Sequence, residues 1–282
     1  MTQILKPDQT VRTRSGQACK VKQLIGAGGQ GEVYRAEWNG QDFALKWYYA
    51  HTATAAQQAS LERLVSVHKA PCDKFLWPLD LASSDTAPGF GYVMKLRESR
   101  YRGLLDLMLN RIDPTFAAVV HASFELVDSF FKLHADGLCY RDISFGNVFF
   151  DPHVGAVLIC DNDNVTENNS PVTGILGTPD FMAPEIVRGE ALPSRQTDLF
   201  SLAVLLFYLL SVPCEPSVAG PPSAGDSLLG SPCAAQAVWD RATLHLRPAR
   251  SGERGRRHRC RSVGRSRSQR PRLLADLSTA LA

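Results

Sequence analysis

No run of about 18 apolar residues occurs in the chain, which excludes a membrane-spanning helix on hydropathy. The best candidate, Leu199 to Val212, is too short and reads as a buried core helix. The first residues, Met1 to Arg14, hold no apolar signal core, so export is not expected. Among seven cysteines (19, 72, 139, 160, 214, 233 and 260) there is no CxxC pair. The odd count and irregular spacing fit reduced thiols in a cytoplasmic protein, with Cys139 and Cys160 as small core residues inside apolar strings. No internal repeat is present. Lysine is missing between Arg241 and Arg272, a window that holds twelve arginines and one acidic residue, Glu253. The formal net charge is only +3, so the rest of the chain is acidic and the tail is a different polymer.

What is present is ordinary globular material: 282 residues, 44% hydrophobic and 21% charged, enough for one large core or two small ones. From Ala18 to Trp47 the residues alternate as three strands, with the glycine-rich turn GAGGQG after the first and Asn39-Gly40 as a two-residue hairpin turn after the second. Ala56 to His68 has helical spacing, with Leu61, Leu64 and Val65 on one face. PLDLAS and GFGYVMKL read as two further strands, ending a small lobe near Arg97. The period then changes. Helices are expected over Leu104 to Ile112, over Pro114 to Ala135, and over Asp198 to Leu210, with short apolar strands NVFF and AVLIC and a polar loop 162–179 between. Beyond Pro213 periodicity is lost in Pro, Gly, Ser, Ala and Arg, the composition of a disordered basic tail or of a segment translated out of frame.

Four signals carry chemistry. The glycine run Gly26-Ala-Gly28-Gly-Gln-Gly31-Glu-Val33 alone reads as a tight hairpin, but its place between two strands suits a flap whose backbone N–H groups lie over phosphates. Lys46, in the apolar strand Phe43-Ala44-Leu45-Lys46, needs a partner for its ammonium or a path to solvent. Glu62, the only glutamate between Lys46 and Arg97, is its natural partner, or else part of a solvated helix face. Tyr140-Arg141-Asp142-Ile-Ser144-Phe-Gly146-Asn147 places an aspartate five residues before an asparagine, so one loop presents a base and an amide oxygen. A buried strand then ends in Asp161, a hard oxygen ligand suited with Asn147 to Mg²⁺. Last come Gly177-Thr178-Pro-Asp-Phe-Met-Ala183-Pro184-Glu185 and Asp198.

With this ordered set, residues 18–210 resemble the eukaryotic-type protein kinase domain, including its bacterial members. The resemblance implies an α+β, bilobal fold: a small N-lobe of antiparallel strands plus one helix (18–97) and a larger, mainly helical, incomplete C-lobe (98–212), flanked by an extension (1–17) and the tail (213–282). It implies ATP and Mg²⁺ as cofactors and serine or threonine hydroxyls of proteins as acceptors. Gly26, Gly28 and Gly31 would cover the phosphates, Lys46 would contact them, and Glu62 would pair with Lys46. Asp142 would be the catalytic base, and Asn147 and Asp161 would hold Mg²⁺. Met94, Lys95, Leu96 and Arg97 would form the adenine hinge, with Val33 and Ala44 above the base and Phe149 below it.

Several residues depart from that pattern. Tyr140 stands where histidine is usual, Ser144 where a lysine near the γ-phosphate is usual, and Asp161-Asn162-Asp163 where Asp-Phe-Gly is usual. Asp163 either adds negative charge near the metal or caps a turn. The helices and the arginine expected after Leu210 have no counterpart in the tail. A catalytically impaired pseudokinase, or a truncated nucleotide-binding regulatory protein, is therefore the alternative reading. Nucleic-acid binding by the tail is not expected, because aromatics for base stacking are nearly absent there. Ser170, Thr173 and Thr178 are available for regulatory phosphorylation, and Arg141 for receiving the phosphate.

Overall fold

The computed structural model describes residues 3–170 and 177–211, all within one compact unit. Thr173 and the arginine-rich tail, with both readings of it, lie outside the described residues. No helix among the described residues is long and apolar enough to cross a membrane.

The alternating segments form antiparallel strands β1 (Thr10–Thr13), β2 (Ala18–Ala27), β3 (Gly31–Trp38), β4 (Gln41–Tyr48), β5 (Asp80–Ser83) and β6 (Phe90–Lys95). They close into a barrel in the order β1-β2-β3-β4-β6-β5. The expected extension 1–17 is therefore corrected. Thr10–Thr13 pairs with both β2 and β5, and Leu5 is fully buried in the barrel core with Tyr34, Leu45 and Trp47. The Ile4 and Leu5 N–H groups donate to Glu32 and to the Tyr34 hydroxyl. Without β1, two strand edges would stand open, which sheets avoid; four residues were too few for their alternation to show this.

Helix α1 (Ala55–Ser66) opens on Thr54, whose side chain accepts from the Gln57 N–H, and buries Leu61 and Leu64. The second lobe follows with β7 (Arg102–Gly103), α2 (Leu104–Met108), α3 (Phe116–Ala135), β8 (Leu138–Cys139), β9 (Val148–Phe150), β10 (Val157–Ile159), β11 (Thr166–Glu167), α4 (Pro184–Val187) and α5 (Arg195–Ser211). Thr115 caps α3, and Gly137 follows its end at φ +77°, a left-handed turn that glycine adopts without strain. Val119, Ala122, Leu126, Phe130 and Leu133 line its buried face and share a core with Leu202, Leu205 and Leu209 of α5. The polar loop expected over 162–179 includes a 3₁₀ turn at Asn162–Asn164 and the short β11.

Two features position the site. The Leu76 N–H donates to the Ile159 carbonyl (2.9 Å) and the Ile159 N–H to the Lys74 carbonyl (2.8 Å), which holds the end of β10 against the first lobe. In the barrel, Val33 pairs with Lys46, Ala44 with Met94, and Lys46 with Tyr92. Close strand approach also explains one glycine. A Cβ on Gly31 would lie 2.1 Å from the Trp47 carbonyl oxygen, whereas one on Gly26 or Gly28 would meet no protein atom within 4 Å. Gly31→Ala is expected to lower stability by roughly 1–3 kcal/mol by overpacking, and Gly28→Ala by far less. Urea unfolding of the two variants checks this.

Candidate active site

Between the lobes lies a cavity of about 960 Å³, a size that suits a nucleotide. Its roof is the glycine hairpin, including Gly26, Gly28, Gly31 and Val33; its back wall carries Ala44, Lys46 and Met94, and its mouth runs through Lys95, Leu96 and Arg97. Phe149, Cys160 and Asp161 form the floor, and Asp142 opens onto it. The Arg97 guanidinium sits 4.2 Å from the Phe149 ring centroid and donates to the Tyr101 carbonyl. All the residues expected from the sequence line this one cavity except Glu62 and Asn147, the residue that follows the lining Gly146.

Lys46 is almost fully buried, and its ammonium is hydrogen-bonded on several sides. It reaches Gln30 Oε1 at 2.8 Å, Asp161 Oδ1 at 3.3 Å, and Asp163 Oδ1 and Oδ2 at 3.1 and 2.9 Å. Asp163 is wholly buried and also accepts from the Tyr48 hydroxyl and, at 3.2 Å, from the Tyr92 hydroxyl. The expected Glu62–Lys46 pair is thus corrected. The Glu62 side chain is 40% exposed and its carboxylate sits 3.8 Å from the Arg14 guanidinium. Five residues along an α-helix is a rotation of about 140°. Because Gln57 is the α1 residue on the cavity, Glu62 faces elsewhere. Gln57 Nε2 donates to the Tyr48 hydroxyl and, at 3.3 Å, to the Asp163 carbonyl.

The charges in this cluster fix one another. Burial by itself would lower the Lys46 pKa, but the Asp163 and Asp161 carboxylates outweigh it and hold the ammonium above its ordinary value. Burial would likewise raise the Asp163 carboxyl, yet the Lys46 charge and the Tyr48 and Lys46 hydrogen bonds turn the net direction downward. For Asp161, burial and repulsion from Asp163 prevail over Lys46, and its carboxyl lies above the usual range. Asp163 is the sequestered anion. Asp161 faces the cavity and is the more available ligand.

The catalytic-loop candidates are gathered by a buried carboxylate. Asp198, on α5, accepts from the Tyr140 N–H (2.6 Å), the Arg141 N–H (2.9 Å) and His134 Nε2 (3.0 Å). Arg141 is held at φ +74° and Asp161 at φ +50°, left-handed conformations that non-glycine residues rarely adopt and that persist where surroundings enforce them. Next to them, Asn147 Nδ2 donates to the Asp142 carbonyl (2.8 Å) and carboxylate (3.0 Å), and the Thr178 hydroxyl donates to the other Asp142 oxygen (2.7 Å). Tyr140, in place of histidine, is fully buried edge-on to Phe130 and donates its hydroxyl to the Cys160 carbonyl. Ser144 is buried and brings no charge. Asn162 donates to the Ile159 carbonyl (2.9 Å).

Sequence reasoning did not place Gln30, Tyr48, Gln57 or Tyr92 at the site. Tyr48 and Tyr92 could have been found, since Tyr48 lies on the Lys46 face of β4 and Tyr92 pairs with Lys46 across the sheet.

The likeness to known proteins agrees with this geometry. The profile of the protein kinase domain family matches residues 19–216. Ribosomal protein S6 kinase alpha-4 of Mus musculus is 35% identical over 91 residues, 31% of this chain and 12% of that protein. A probable serine/threonine-protein kinase of Dictyostelium discoideum is 24% identical over 194 residues, 67% of this chain and 12% of that protein. Protein kinase MCK1 of Saccharomyces cerevisiae is 23% identical over 206 residues, 66% of this chain and 52% of that protein. The chain thus spans about half, or much less, of the length of these relatives. The solved structure of vaccinia related kinase 3 superposes with a TM-score of 0.58 at 18% identity, covering 74% of this chain and 70% of that one, and shares the fold. With the family profile spanning most of the chain and the bilobal fold observed, this chain belongs to the protein kinase domain family.

Proposed function

We propose that this chain transfers the γ-phosphoryl group of ATP to serine or threonine hydroxyls of a protein substrate. One observation carries the reading: Lys46, Asp142 and Asp161, distant in sequence, open onto one cavity beneath a glycine hairpin. Lys46 supplies positive charge for the phosphates, and the backbone of residues 94–97 offers the hinge for adenine. Asp142 faces the acceptor. As the hydroxyl oxygen bonds to the γ-phosphorus and the bond to the departing ADP oxygen breaks, the hydroxyl proton passes to the Asp142 carboxylate. Thr178 and Asn147 hold that carboxylate from two sides.

The donor set fits Mg²⁺. Asp161 offers a carboxylate, and Asn147, whose Nδ2 is committed to Asp142, keeps its amide oxygen as an acceptor. Two protein oxygens with phosphate oxygens completing the shell is the usual magnesium arrangement. When bound, the ion would neutralise charge developing on the phosphates. The pattern Gly177-Thr178-Pro-Asp-Phe-Met-Ala183-Pro184-Glu185 supports serine or threonine as the acceptor.

The test is incubation of the chain with labelled ATP and a generic protein acceptor, with and without Mg²⁺. Label on serine or threonine that disappears with EDTA supports the reading. Nucleotide binding with no label under any condition favours the pseudokinase alternative, which the buried, uncharged Ser144 also favours.

A further inference from the structure

Lys46 needs a fixed carboxylate to hold its ammonium toward a nucleotide, and α1 does not provide one. Glu62 is the only acidic residue of α1, and it faces Arg14. The partner comes from the turn after β10. Asp163 accepts from Lys46 through both carboxylate oxygens and from Tyr48 and Tyr92. Strand register puts the three donors on one face: Lys46 and Tyr48 are two residues apart on β4, and Tyr92 lies opposite Lys46 on β6. A wholly buried carboxylate is tolerated only when paired and hydrogen-bonded, and here three donor side chains meet that demand. The contact from α1 itself is neutral, Gln57 to the Asp163 backbone carbonyl.

We propose that Asp163 is the positioning counter-ion of Lys46, doing from the turn after β10 what a glutamate on α1 would otherwise do, so that the aim of Lys46 is set independently of acidic residues on α1. The assignment rests on the kinase reading. It makes Lys46 and the candidate metal ligand Asp161 dependents of one turn, because Asp161 and Asp163 are two residues apart and both reach Lys46. A shift of α1 that carried Glu62 away would leave the pair intact, whereas a shift of the turn would disturb phosphate and metal positions together.

The experiment is a double-mutant cycle on the full chain, read by the affinity of the fluorescent nucleotide mant-ATP and by thermal unfolding. Asp163→Asn is expected to weaken mant-ATP binding by about tenfold when Lys46 is present and by less than about twofold in a Lys46→Met background, because the effect passes through Lys46. Glu62→Gln is expected to leave affinity within about twofold of the parent. Equal losses in both backgrounds, unchanged affinity in Asp163→Asn, or a tenfold loss in Glu62→Gln would each overturn the assignment. If Asp163→Asn does not fold, Glu62→Gln decides by the same threshold. If the parent chain shows no mant-ATP binding at all, the kinase reading itself fails. The unfolding cycle then decides the pair: a double variant less destabilised than the sum of the single ones upholds it, and strict additivity sinks it.

Discussion

Asp142→Asn is expected to lower the rate of phosphoryl transfer by about 10²–10⁴-fold while leaving the KM for ATP within about threefold. The substitution keeps the shape of the side chain but removes the basic oxygen. Asn147 donates to one Asp142 oxygen and the Thr178 hydroxyl to the other. In the variant the amide oxygen keeps the Asn147 donor and the amide N–H donates to the Thr178 hydroxyl, which can also accept, so the variant should fold normally. Asp142 opens onto the cavity from the loop that holds Asn147, and its side chain bonds Asn147 and Thr178 and none of the hinge residues Met94 to Arg97, so adenine binding should be insensitive to it. Initial-rate kinetics with labelled ATP, beside a thermal melt, separate the two effects. A variant with equal rates would remove Asp142 as the base.

A different outcome is expected for Asp198→Asn: a loss of stability of about 3–5 kcal/mol, since one member of a buried charge-assisted network is being neutralised. At this chain length that corresponds to a fall of about 10 °C in melting temperature. The carboxylate is 1% exposed and satisfies three donors, two of them backbone N–H groups of consecutive residues. An asparagine has one acceptor oxygen, and its amide nitrogen would face an N–H donor. The Arg141 backbone, held at φ +74°, loses the bond that enforces it. Transfer should therefore drop as well, and nucleotide affinity should change less. His134→Ala removes only one of the three donors and should cost about 1–2 kcal/mol. Differential scanning calorimetry on the two variants gives the comparison, and an Asp198→Asn melt within 2 °C of the parent, roughly a single kcal/mol, would show the network to be dispensable.

Much of the molecule was legible in its residues. The hairpin around Asn39-Gly40, the helical face of Leu61 and Leu64, and the spacing from Asp142 to Asn147 depend on neighbours in the chain, and each lies where it was expected. Gly31 could be read as a glycine-loop member, although the reason it cannot carry a Cβ, the Trp47 carbonyl, belongs to the next strand. The N-terminal strand was not legible, because four residues show too little alternation to reveal a strand whose purpose is to close a barrel.

Local periodicity, turn chemistry and the order of a few polar residues settled the family of this chain and which side chains could share one cavity. The tertiary structure alone decided which carboxylate holds Lys46. That choice depends on the rotation of α1 about its own axis and on a turn 117 residues further along the chain meeting β4 and β6. Sequence proximity favoured Glu62. Packing turned Gln57 inward instead, and burial then required the charge of Lys46 to be met by Asp163.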